Sequence, residues 1–288
     1  KMKHIIGVDL GGTNIKTALI NLDGKIIKKY EIKTETKKGT NQVTKNIIKT
    51  IEKVKTKNVI GIGIGSPGPL DYKKGIITKP VNLPFKNTPL RKIIQKKFRL
   101  PVFLDNDANC FTLAEAVFGS GKNYENVAGI TLGTGFGSGI TINKKIYHGR
   151  NNAAELGHMT INYNGPKSRC KNHGCIETHV AARGITRIFG KSDPYSIYKL
   201  AIKGNKKAIK TYNEMGYYLG IGLTNIIYAL DPDIIVIGGK ISNSWKLFSK
   251  SMNKAVKERY FQNPCKILPS KLKEAGILGA AALVLEKK

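Results

Sequence analysis

The segment FLDNDANCF at 103–111 ends an apolar run in four polar residues, Asp105, Asn106, Asp107 and Asn109. Two acids and two amides within five positions suit neither a buried strand nor the buried face of a helix. A carboxylate at the start of a helix is favoured in its ionised form, which is the form a general base needs. The same residue types also cap helix N-termini. The segment alone therefore leaves two interpretations of Asp107 open, a catalytic base and a helix cap.

Three clusters of glycine follow apolar runs that are typical of buried strands. They are Gly11–Gly12, Gly133–Gly139 and Gly238–Gly239. Glycine lets a backbone approach a phosphate closely and adopt positive φ, and successive backbone N–H groups can form a concave anion site. Thr13 and Thr134 add hydroxyl donors. One such cluster is compatible with a simple hairpin turn, but three clusters at strand ends favour phosphate binding.

Two other glycine patterns imitate nucleotide-binding motifs and are rejected. G-x-G-x-x-G at 63–68 follows a strand as the dinucleotide fingerprint requires, but Pro67 and Pro69 interrupt it and no helix opens there. The segment GITRIFGKS at 184–192 has five residues between its glycines, where a P-loop has four. It also follows a helical pattern, so neither segment is interpreted as a nucleotide site.

The elements that position these residues follow from hydrophobic periodicity and turn residues. Apolar runs predict strands at 4–10, 15–22, 25–34, 58–64, 101–104, 127–132, 140–143, 146–149 and 231–240. Helical spacing predicts helices at 41–55, 88–98, 107–119 and 275–285, with a largely helical region from 177 to 230. Residues 133–139 are expected to form a loop. Alternating strands and helices predict an α/β fold with mixed sheets.

One arrangement of elements occurs twice along the chain. Strand, glycine loop, strand, turn and strand follow one another in 4–34 and again in 127–149. The two copies share too little sequence to demonstrate a duplication, but the common layout is suggestive of one.

Composition limits the class of protein. A chain of 288 residues with 41% hydrophobic residues can form one large domain or two smaller ones. No apolar run reaches the roughly 20 residues that span a membrane, and the N-terminal apolar stretch is too short for a secretion signal. The four cysteines show no disulfide-framework spacing. We therefore expect a soluble cytoplasmic protein.

The charge balance is strongly basic, with 49 basic and 19 acidic residues and a net charge of +30. Such a charge favours polyanion binding in principle. However, the lysines are scattered through nearly every segment and form no single patch in the sequence. Lysine, asparagine and isoleucine, which have A/T-rich codons, are all abundant. This distribution indicates generic solvated lysines, and we expect no nucleic-acid partner.

Six motifs, DxGGT, a Pro-Gly loop, DNDAN, GTGxGxG, ExGH and GCxE, occur in this order. Each is modest alone, but as an ordered set they are specific. Over nearly the whole chain the sequence resembles the ROK family of sugar kinases, which belongs to the actin-like ATPase superfamily. The resemblance implies two α/β domains of ribonuclease H-like fold that close over a cleft. The expected domains are residues 1–108 plus 277–288 and residues 109–276.

The resemblance also implies which residues bind ATP, Mg²⁺ and sugar. Asp107 would be the catalytic base, and Asp9 would hold Mg²⁺ through water. The phosphate loops would be formed by Asp9, Gly11, Gly12, Thr13, Gly133, Thr134, Gly135 and Gly137, with Gly238 and Gly239 near the adenosine. The sugar contacts would be Gly68, Asn106, Asp107, Glu155, His158 and Glu177. Amides, carboxylates and imidazoles can form hydrogen bonds with adjacent sugar hydroxyls. Glu155 and His158 share a face if their segment is helical.

A zinc site is implied less completely. In the family a histidine is joined by three cysteines at C-x-C-x4-C. Here His158, Cys170 and Cys175 keep their places, but Ser168 occupies the first cysteine position. Zinc prefers four N or S ligands, so His173 or a water would have to complete the set. The alternative is that hydrogen bonds and loop packing hold His158 without a metal.

The expected activity is ATP-dependent phosphorylation of a hexose, with glucose and its 6-hydroxyl as the leading acceptor. N-acetylglucosamine and fructose kinases are the alternatives within the family. ROK repressors are the non-enzyme alternative, and they carry a helix-turn-helix domain before the DxGGT loop. Only eight residues precede Asp9, so no such domain is expected here. The expected partners are the sugar, ATP and a second copy of the chain, with no membrane association.

Overall fold

The computed structural model of the protein describes residues 2–286, and they form two compact units. Unit 1 includes residues 2–125, 140–153 and 271–286, and unit 2 includes residues 126–139 and 154–270. This division differs from the expected boundaries after 108 and before 277. Residues 109–118 belong to unit 1 because they form a helix packed on the C-terminal helix. A Cβ added to Gly279 would lie 1.7 Å from the carbonyl oxygen of Cys110.

Two five-stranded sheets and one short hairpin contain the strands. The strands are β1 (His4–Leu10), β2 (Asn14–Asn21), β3 (Ile26–Lys33), β4 (Val59–Ser66), β5 (Leu70–Asp71), β6 (Ile76–Ile77), β7 (Val102–Asn106), β8 (Val127–Leu132), β9 (Phe136–Ile142), β10 (Lys145–Ile146), β11 (Ile234–Gly238) and β12 (Lys266–Pro269). Strands β5 and β6 form the hairpin. Together with the helices, these mixed sheets confirm the predicted α/β class.

Helices cover or flank the sheets in both units. They are α1 (Gly39–Val54), α2 (Leu90–Phe98), α3 (Asp107–Phe118), α4 (Ile176–Val180), α5 (Ala182–Phe189), α6 (Pro194–Ile202), α7 (Lys206–Leu230), α8 (Trp245–Arg259) and α9 (Ala275–Glu286). Short 3₁₀ turns lie at 36–38, 156–158 and 240–244. None of the helices within residues 2–286 is long and apolar enough to cross a bilayer.

The sheet of unit 1 brings three strand ends to one edge. Its spatial order is β3-β2-β1-β4-β7, with β1 antiparallel to β2 and parallel to β4, which is parallel to β7. In this register Asp9 of β1 pairs with Gly65 of β4, which pairs with Asp105 of β7. The carboxyl ends of parallel strands are where open α/β sheets bind ligands. Unit 1 therefore presents its candidate residues at the usual edge.

Alternating residues of β1 face two different helical layers. Ile6 and Val8 share a hydrophobic cluster with the apolar face of α1, whereas Ile5 shares one with Ile277 of α9. On the α9 side the backbones meet closely, since a Cβ on Gly63 would lie 1.7 Å from the carbonyl oxygen of Ala280. Gly63 of the G-x-G-x-x-G match thus serves helix packing, which agrees with the rejection of the match as a dinucleotide site.

The core of unit 2 is a pair of long helices beside a sheet. In the sheet β11 lies between β8 and β12 and runs parallel to both. Helix α7 approaches α8 closely at two glycines. A Cβ on Gly216 or Gly220 would lie 2.4 Å from the carbonyl oxygens of Phe248 and Met252 respectively. The segment 184–192, which imitates a P-loop, includes most of helix α5, as its helical pattern predicted.

The glycine segment 133–139 is shorter as a loop than expected. Strand β9 begins at Phe136, so only residues 133–135 join it to β8. The backbone N–H of Gly133 donates to the carbonyl oxygen of Gly135 at 3.0 Å. Because this bond closes the turn within three residues, Gly137 lies inside β9 and not in a loop. The prediction of a loop over 136–139 was wrong.

Candidate active site

Asn106 ends β7 and Asp107 begins α3, and the two side chains have different surroundings. Asn106 is the N-cap of α3, and its Oδ1 accepts hydrogen bonds from the backbone N–H groups of Ala108 at 2.8 Å and Asn109 at 3.4 Å. Asp107 is the first residue of the helix and is exposed. The helix N-terminus favours its ionised form. The capping interpretation therefore applies to Asn106, and the carboxylate of Asp107 faces solvent at a helix N-terminus.

Asp9 and Asp107 form an electrostatically coupled pair of carboxylates. Burial first, and then the charge of Asp107, raise the pKa of Asp9 to about 6, against the lowering effect of Lys16. Gly276 at the start of α9 permits this burial, since a Cβ there would lie 2.8 Å from Asp9 Oδ2. A divalent cation would stabilise the ionised form of Asp9 beside Asp107, and Mg²⁺ prefers carboxylate and water ligands. The residues therefore fit the expected magnesium site.

Asp105 is buried, with 4% of its surface exposed. Its Oδ1 accepts hydrogen bonds from the backbone N–H of Asn106 at 2.7 Å and from Asn109 Nδ2 at 2.9 Å. Its Oδ2 lies 2.6 Å from Nε2 of His148. These three contacts indicate a structural role for Asp105. His148 was not predicted, because a single histidine after a short strand gives no signal in the sequence.

The Pro-Gly loop after β4 lies beside the capping residue. A Cβ added to Gly68 would lie 3.4 Å from Asn106 Nδ2. The peptide bond between Gly68 and Pro69 is cis. Unit 1 thus brings together three of the predicted sugar-binding residues, Gly68, Asn106 and Asp107.

Residues Gly11–Thr13, here the first glycine loop, make a tight connection between β1 and β2. The N–H of Gly11 donates to the carbonyl oxygen of Asn14 at 3.0 Å, and Thr34 Oγ1 donates to the carbonyl oxygen of Gly11 at 2.6 Å. Neither Gly11 nor Gly12 has a positive φ. Of the two properties of glycine that suit a phosphate loop, close approach therefore applies to Gly11 and Gly12, and positive φ does not. Gly12 and Thr13 border an open cavity of about 680 Å³.

Residues Gly133–Gly135, here the second glycine loop, connect β8 to β9. Gly133 has open space where a Cβ would be, and Thr134 is exposed. Gly135 instead lies against Glu177, since a Cβ there would come 2.7 Å from Glu177 Oε2. The same Oε2 accepts a hydrogen bond from the N–H of Phe136 at 2.9 Å. The predicted sugar ligand Glu177 is therefore anchored to the end of this loop.

Two cavities of unit 2 meet at the second glycine loop. One, of about 570 Å³, is lined by Gly133, Thr134, Tyr195, Tyr198, Tyr212 and Lys240 among others. Apolar walls with a few polar groups are typical of small-molecule sites. Gly239 lies just before Lys240 with φ of 85°, and a Cβ there would lie 2.3 Å from the carbonyl oxygen of Leu132. Gly238 and Gly239 thus hold the strand end beside this cavity, and the tyrosines were not predicted.

The second cavity, of about 260 Å³, has a basic rim. It borders Thr134, Gly135 and Glu177, and its basic side chains are Lys167, Arg169, Arg183 and Arg187. Clustered cations at a concave surface raise the local concentration of anionic ligands. These four residues were not predicted, because their positive charges do not stand out in a chain of 49 basic residues.

The ExGH motif contains a 3₁₀ turn at 156–158, which places the predicted sugar ligands Glu155 and His158 together. His158 Nε2 lies 3.8 Å from Glu155 Oε2, and both residues are exposed. The expected shared face is therefore present, although the turn is a 3₁₀ and not an α-helix.

His158, Cys170 and Cys175 converge, with one ligand atom of each within 4.8 Å of the others. Cys170 Sγ lies 3.5 Å from Cys175 Sγ and 3.3 Å from Ser168 Oγ. The hydrogen bond with Ser168 contributes most to lowering the pKa of the Cys170 thiol to about 7. Two thiols and an imidazole suit zinc, so three residues fit the metal.

The fourth zinc position is not supplied by His173. Its Nδ1 lies 3.2 Å from the carbonyl oxygen of Gly165, and it is exposed. Among the described residues the cluster holds His158, Cys170 and Cys175 alone. If the cluster binds zinc, a water would have to complete the ligand set.

Comparison with known proteins agrees with this arrangement. Residues 5–287 match the model of the ROK family. The sequence is 33% identical to the glucokinase of Thermotoga maritima over 98% of each protein. It is also 33% identical to the xylose repressor of Bacillus spizizenii, over 99% of this chain and 78% of that protein. A crystal structure of a ROK family glucokinase from Streptomyces griseus in complex with glucose and AMPPNP matches with a TM-score of 0.81 and 27% identity, over 97% of this chain and 98% of that one.

Proposed function

We propose that this chain, which belongs to the ROK family and is an ATP-dependent sugar kinase, transfers the γ-phosphate of ATP to the 6-hydroxyl of glucose. The observation that carries the proposal is the position of Asp107. It is an exposed carboxylate at a helix N-terminus, beside Asp9, with the capping role taken by Asn106. Phosphoryl transfer needs such a group close to the attacking hydroxyl.

In this mechanism Asp107 accepts the proton of the sugar hydroxyl. The hydroxyl oxygen forms a bond to the γ-phosphorus, the bond from that phosphorus to the β,γ-bridging oxygen breaks, and ADP leaves with the electron pair. Asp9 would hold Mg²⁺ through water, and a bound Mg²⁺ would supply charge neutralisation at the phosphates. Asp9 is suited to this role because its pKa is raised by burial first and then by the negative charge of Asp107, and a cation would favour its ionised form.

The two glycine loops would bind the phosphates of ATP. Backbone N–H groups and hydroxyls in Gly11–Thr13 and Gly133–Gly135 can donate to phosphate oxygens. The adenosine would occupy the cavity lined by Tyr195, Tyr198 and Tyr212, where aromatic surface can cover the base. Gly137 is not included, because it lies within β9.

The proposed sugar contacts are the predicted ones, with their bonding roles now defined. Asn106 uses Oδ1 for capping, which leaves Nδ2 to donate to a hydroxyl. Glu177 uses Oε2 for Phe136, which leaves Oε1 to accept. Glu155 and His158 add a further acceptor and an imidazole, and Gly68 lets the sugar approach the backbone.

Zinc would support this site from His158, Cys170 and Cys175. Metal analysis of protein purified without chelator should give near one zinc per chain. The Ser168→Cys variant supplies a third thiolate, and so a fourth protein ligand, and should retain zinc at a higher chelator concentration. A zinc content near zero with full activity would contradict a requirement for the metal.

The substrate is tested by coupled ADP release with a panel of five sugars. Glucose should give a higher kcat/KM than fructose, mannose, N-acetylglucosamine and N-acetylmannosamine. Preference for N-acetylglucosamine or fructose would select one of the two alternative kinases and refute the glucose assignment. The panel should be repeated at several Mg²⁺ concentrations, since turnover without Mg²⁺ would contradict the role of Asp9.

A sugar-responsive regulator is the second candidate function. The similarity to the xylose repressor and the net charge of +30 favour it. Duplex DNA binding that persists at 150 mM salt and changes on sugar addition, without ATP turnover, would establish it. Binding that is lost as salt rises would indicate only the generic charge.

We also propose that the kinase acts in the cytoplasm as a homodimer without nucleic-acid or membrane partners. Light scattering on purified protein should give twice the monomer mass of 31.6 kDa. A mass that stays at one chain across micromolar concentrations would rule the dimer out.

A further inference from the structure

A buried acid–imidazole pair lies directly behind the turn that carries Asn106 and Asp107. His148 Nε2 and Asp105 Oδ2 are 2.6 Å apart, and the two side chains are 8% and 5% exposed. The other oxygen of Asp105 accepts from the backbone N–H of Asn106 at 2.7 Å and from Asn109 Nδ2 at 2.9 Å. Both carboxylate oxygens are therefore held, and one of the bonds is made to the backbone of a proposed sugar ligand.

The imidazole of His148 is itself held by an aromatic ring. Tyr72 stacks on it with ring centroids 3.5 Å apart and planes inclined by 7°. Three residues further along the chain, Asn151 Nδ2 donates to the carbonyl oxygen of Leu70 at 2.8 Å. Segment 148–151 is thus attached at two points to the β5–β6 hairpin, and at a third point to Asp105.

The hairpin begins at Leu70, two residues after Gly68, and Gly68 lies beside Asn106. The stack of Tyr72, His148 and Asp105 therefore joins the two segments that carry the unit 1 sugar residues. A buried carboxylate that loses its partner is strongly destabilised. Without His148, Asp105 would have to move toward water, and the bond to Asn106 would move with it.

We propose that His148 is a positioning residue, which holds the turn 105–109 in the geometry that Asn106 and Asp107 need, and that Tyr72 fixes the orientation of its ring. The inference rests on the proposed function of Asp107. His148 acts through Asp105, and its contacts explain why a histidine outside the motif set is almost fully buried.

The main test compares His148→Leu with His148→Gln. Leucine removes the donor, so kcat should fall about 100-fold, as expected for misplacement of a reacting group by about 1 Å, and glucose affinity measured calorimetrically without ATP should also fall. Glutamine can present an N–H near the position of Nε2, so His148→Gln should recover at least tenfold of the lost kcat. If glutamine and leucine are equally impaired, or if leucine retains kcat within twofold, the proposal is overturned.

A second pair of variants, at Tyr72, tests the proposal if His148→Leu does not fold. Tyr72→Ala removes the stacked ring without burying a charge, and Tyr72→Phe keeps the ring. Tyr72→Ala should lower kcat and raise the KM for glucose several-fold, and it should leave the KM for ATP unchanged. Tyr72→Phe should show little of either change. Equal kinetics for alanine and wild type would overturn the proposal, because a purely structural ring would change the melting temperature alone.

Failure of the proposed function can be recognised separately. If Asp107→Asn retains turnover, the base assignment is wrong whatever the His148 variants show. If Asp107→Asn is inactive while both His148 variants keep wild-type kcat and glucose affinity, the base assignment stands and only the positioning role is refuted.

Discussion

The first and second glycine loops share a layout and differ in the charges around them. Each connects two neighbouring strands, and each is closed by one backbone hydrogen bond, from Gly11 in the first and from Gly133 in the second. The first follows Asp9, whose pKa is raised to about 6 by burial and by Asp107. The second borders a cavity rimmed by four basic side chains. The two loops therefore have similar backbones, but acidic side chains lie near the loop of unit 1 and basic side chains lie near the loop of unit 2. The surrounding side chains determine the chemistry of each loop.

The largest effect is expected on the acidic side. Asp107→Asn should lower kcat about 1,000-fold, because the amide cannot accept the hydroxyl proton and general bases contribute roughly 10²–10⁴-fold. Glucose affinity measured without ATP should change little. Steady-state kinetics and calorimetry check both statements.

Glu52→Gln is the matched control for Asp107→Asn. Glu52 is a half-exposed carboxylate that pairs with Lys97, so its neutralisation should leave kcat unchanged. If Asp107→Asn kept the wild-type kcat, Asp107 would not be the base, and the acids beside the first glycine loop would have no demonstrated chemical role.

Asp9→Asn should lower kcat/KM about 100-fold at limiting Mg²⁺, since a metal ion contributes several kcal/mol to phosphoryl transfer. The loss should shrink as Mg²⁺ rises. A Mg²⁺ dependence identical to wild type would contradict the metal role of Asp9.

Stability of Asp9→Asn should depend on pH with a defined sign. The folded-state pKa of Asp9 is about 6 and its ordinary value is 3.8, so between these values the folded state binds more protons than the unfolded state. Wild-type stability therefore falls as pH rises through this window. In EDTA the variant should exceed wild type by up to about 3 kcal/mol at pH 7.5, with the gain vanishing near pH 3.5. Urea unfolding at both pH values measures it, and a constant difference would contradict the raised pKa.

On the second loop, two glycine variants separate ligand contact from packing. Gly133→Ala meets no protein atom within 4 Å, so it should raise the KM for ATP about tenfold through the phosphate alone and leave the melting temperature unchanged. Gly135→Ala places a Cβ 2.7 Å from Glu177 Oε2, so it should displace that carboxylate from the N–H of Phe136 and also lower the free energy of unfolding by about 0.5–1.5 kcal/mol. If Gly133→Ala binds ATP normally, the second loop does not approach the phosphates.

The smallest effect is expected from the basic rim. Arg183→Gln removes one exposed cation, which is worth about 1 kcal/mol or less, so the KM for ATP should rise about fivefold or less. The effect should decrease with added salt. Lys203→Gln, an exposed change away from the cavity, is the control, and an equal response in both variants would show that the rim has no specific role.

Local pattern was sufficient for most of the elements. The strands from 4 to 33, the apolar face of α1 and the helix after Asp107 agree with the periodicity, because each buries one face against a sheet or a neighbouring strand. The start of β9 was missed because glycine and serine have low strand propensity, and pairing within the sheet overrode it. Strand β12 gave too short an apolar run to be predicted.

The candidate site was predictable wherever a residue belongs to a motif and not elsewhere. Asp9, Asn106 and Asp107 lie at one sheet edge, as motifs after parallel strands imply. The choice of Asn106 over Asp107 as the cap could not be predicted, because both residue types cap helices equally well.

By itself the sequence determined the α/β class, the two glycine loops and the identity of the acids beside them, because motif order and hydrophobic period are local properties of the chain. Only the tertiary structure decided that His148 and Tyr72 reach Asp105, that four dispersed basic residues share one cavity, and that His173 lies outside the cysteine cluster. These relations join residues far apart in the chain, and their distances depend on how strands, helices and loops pack.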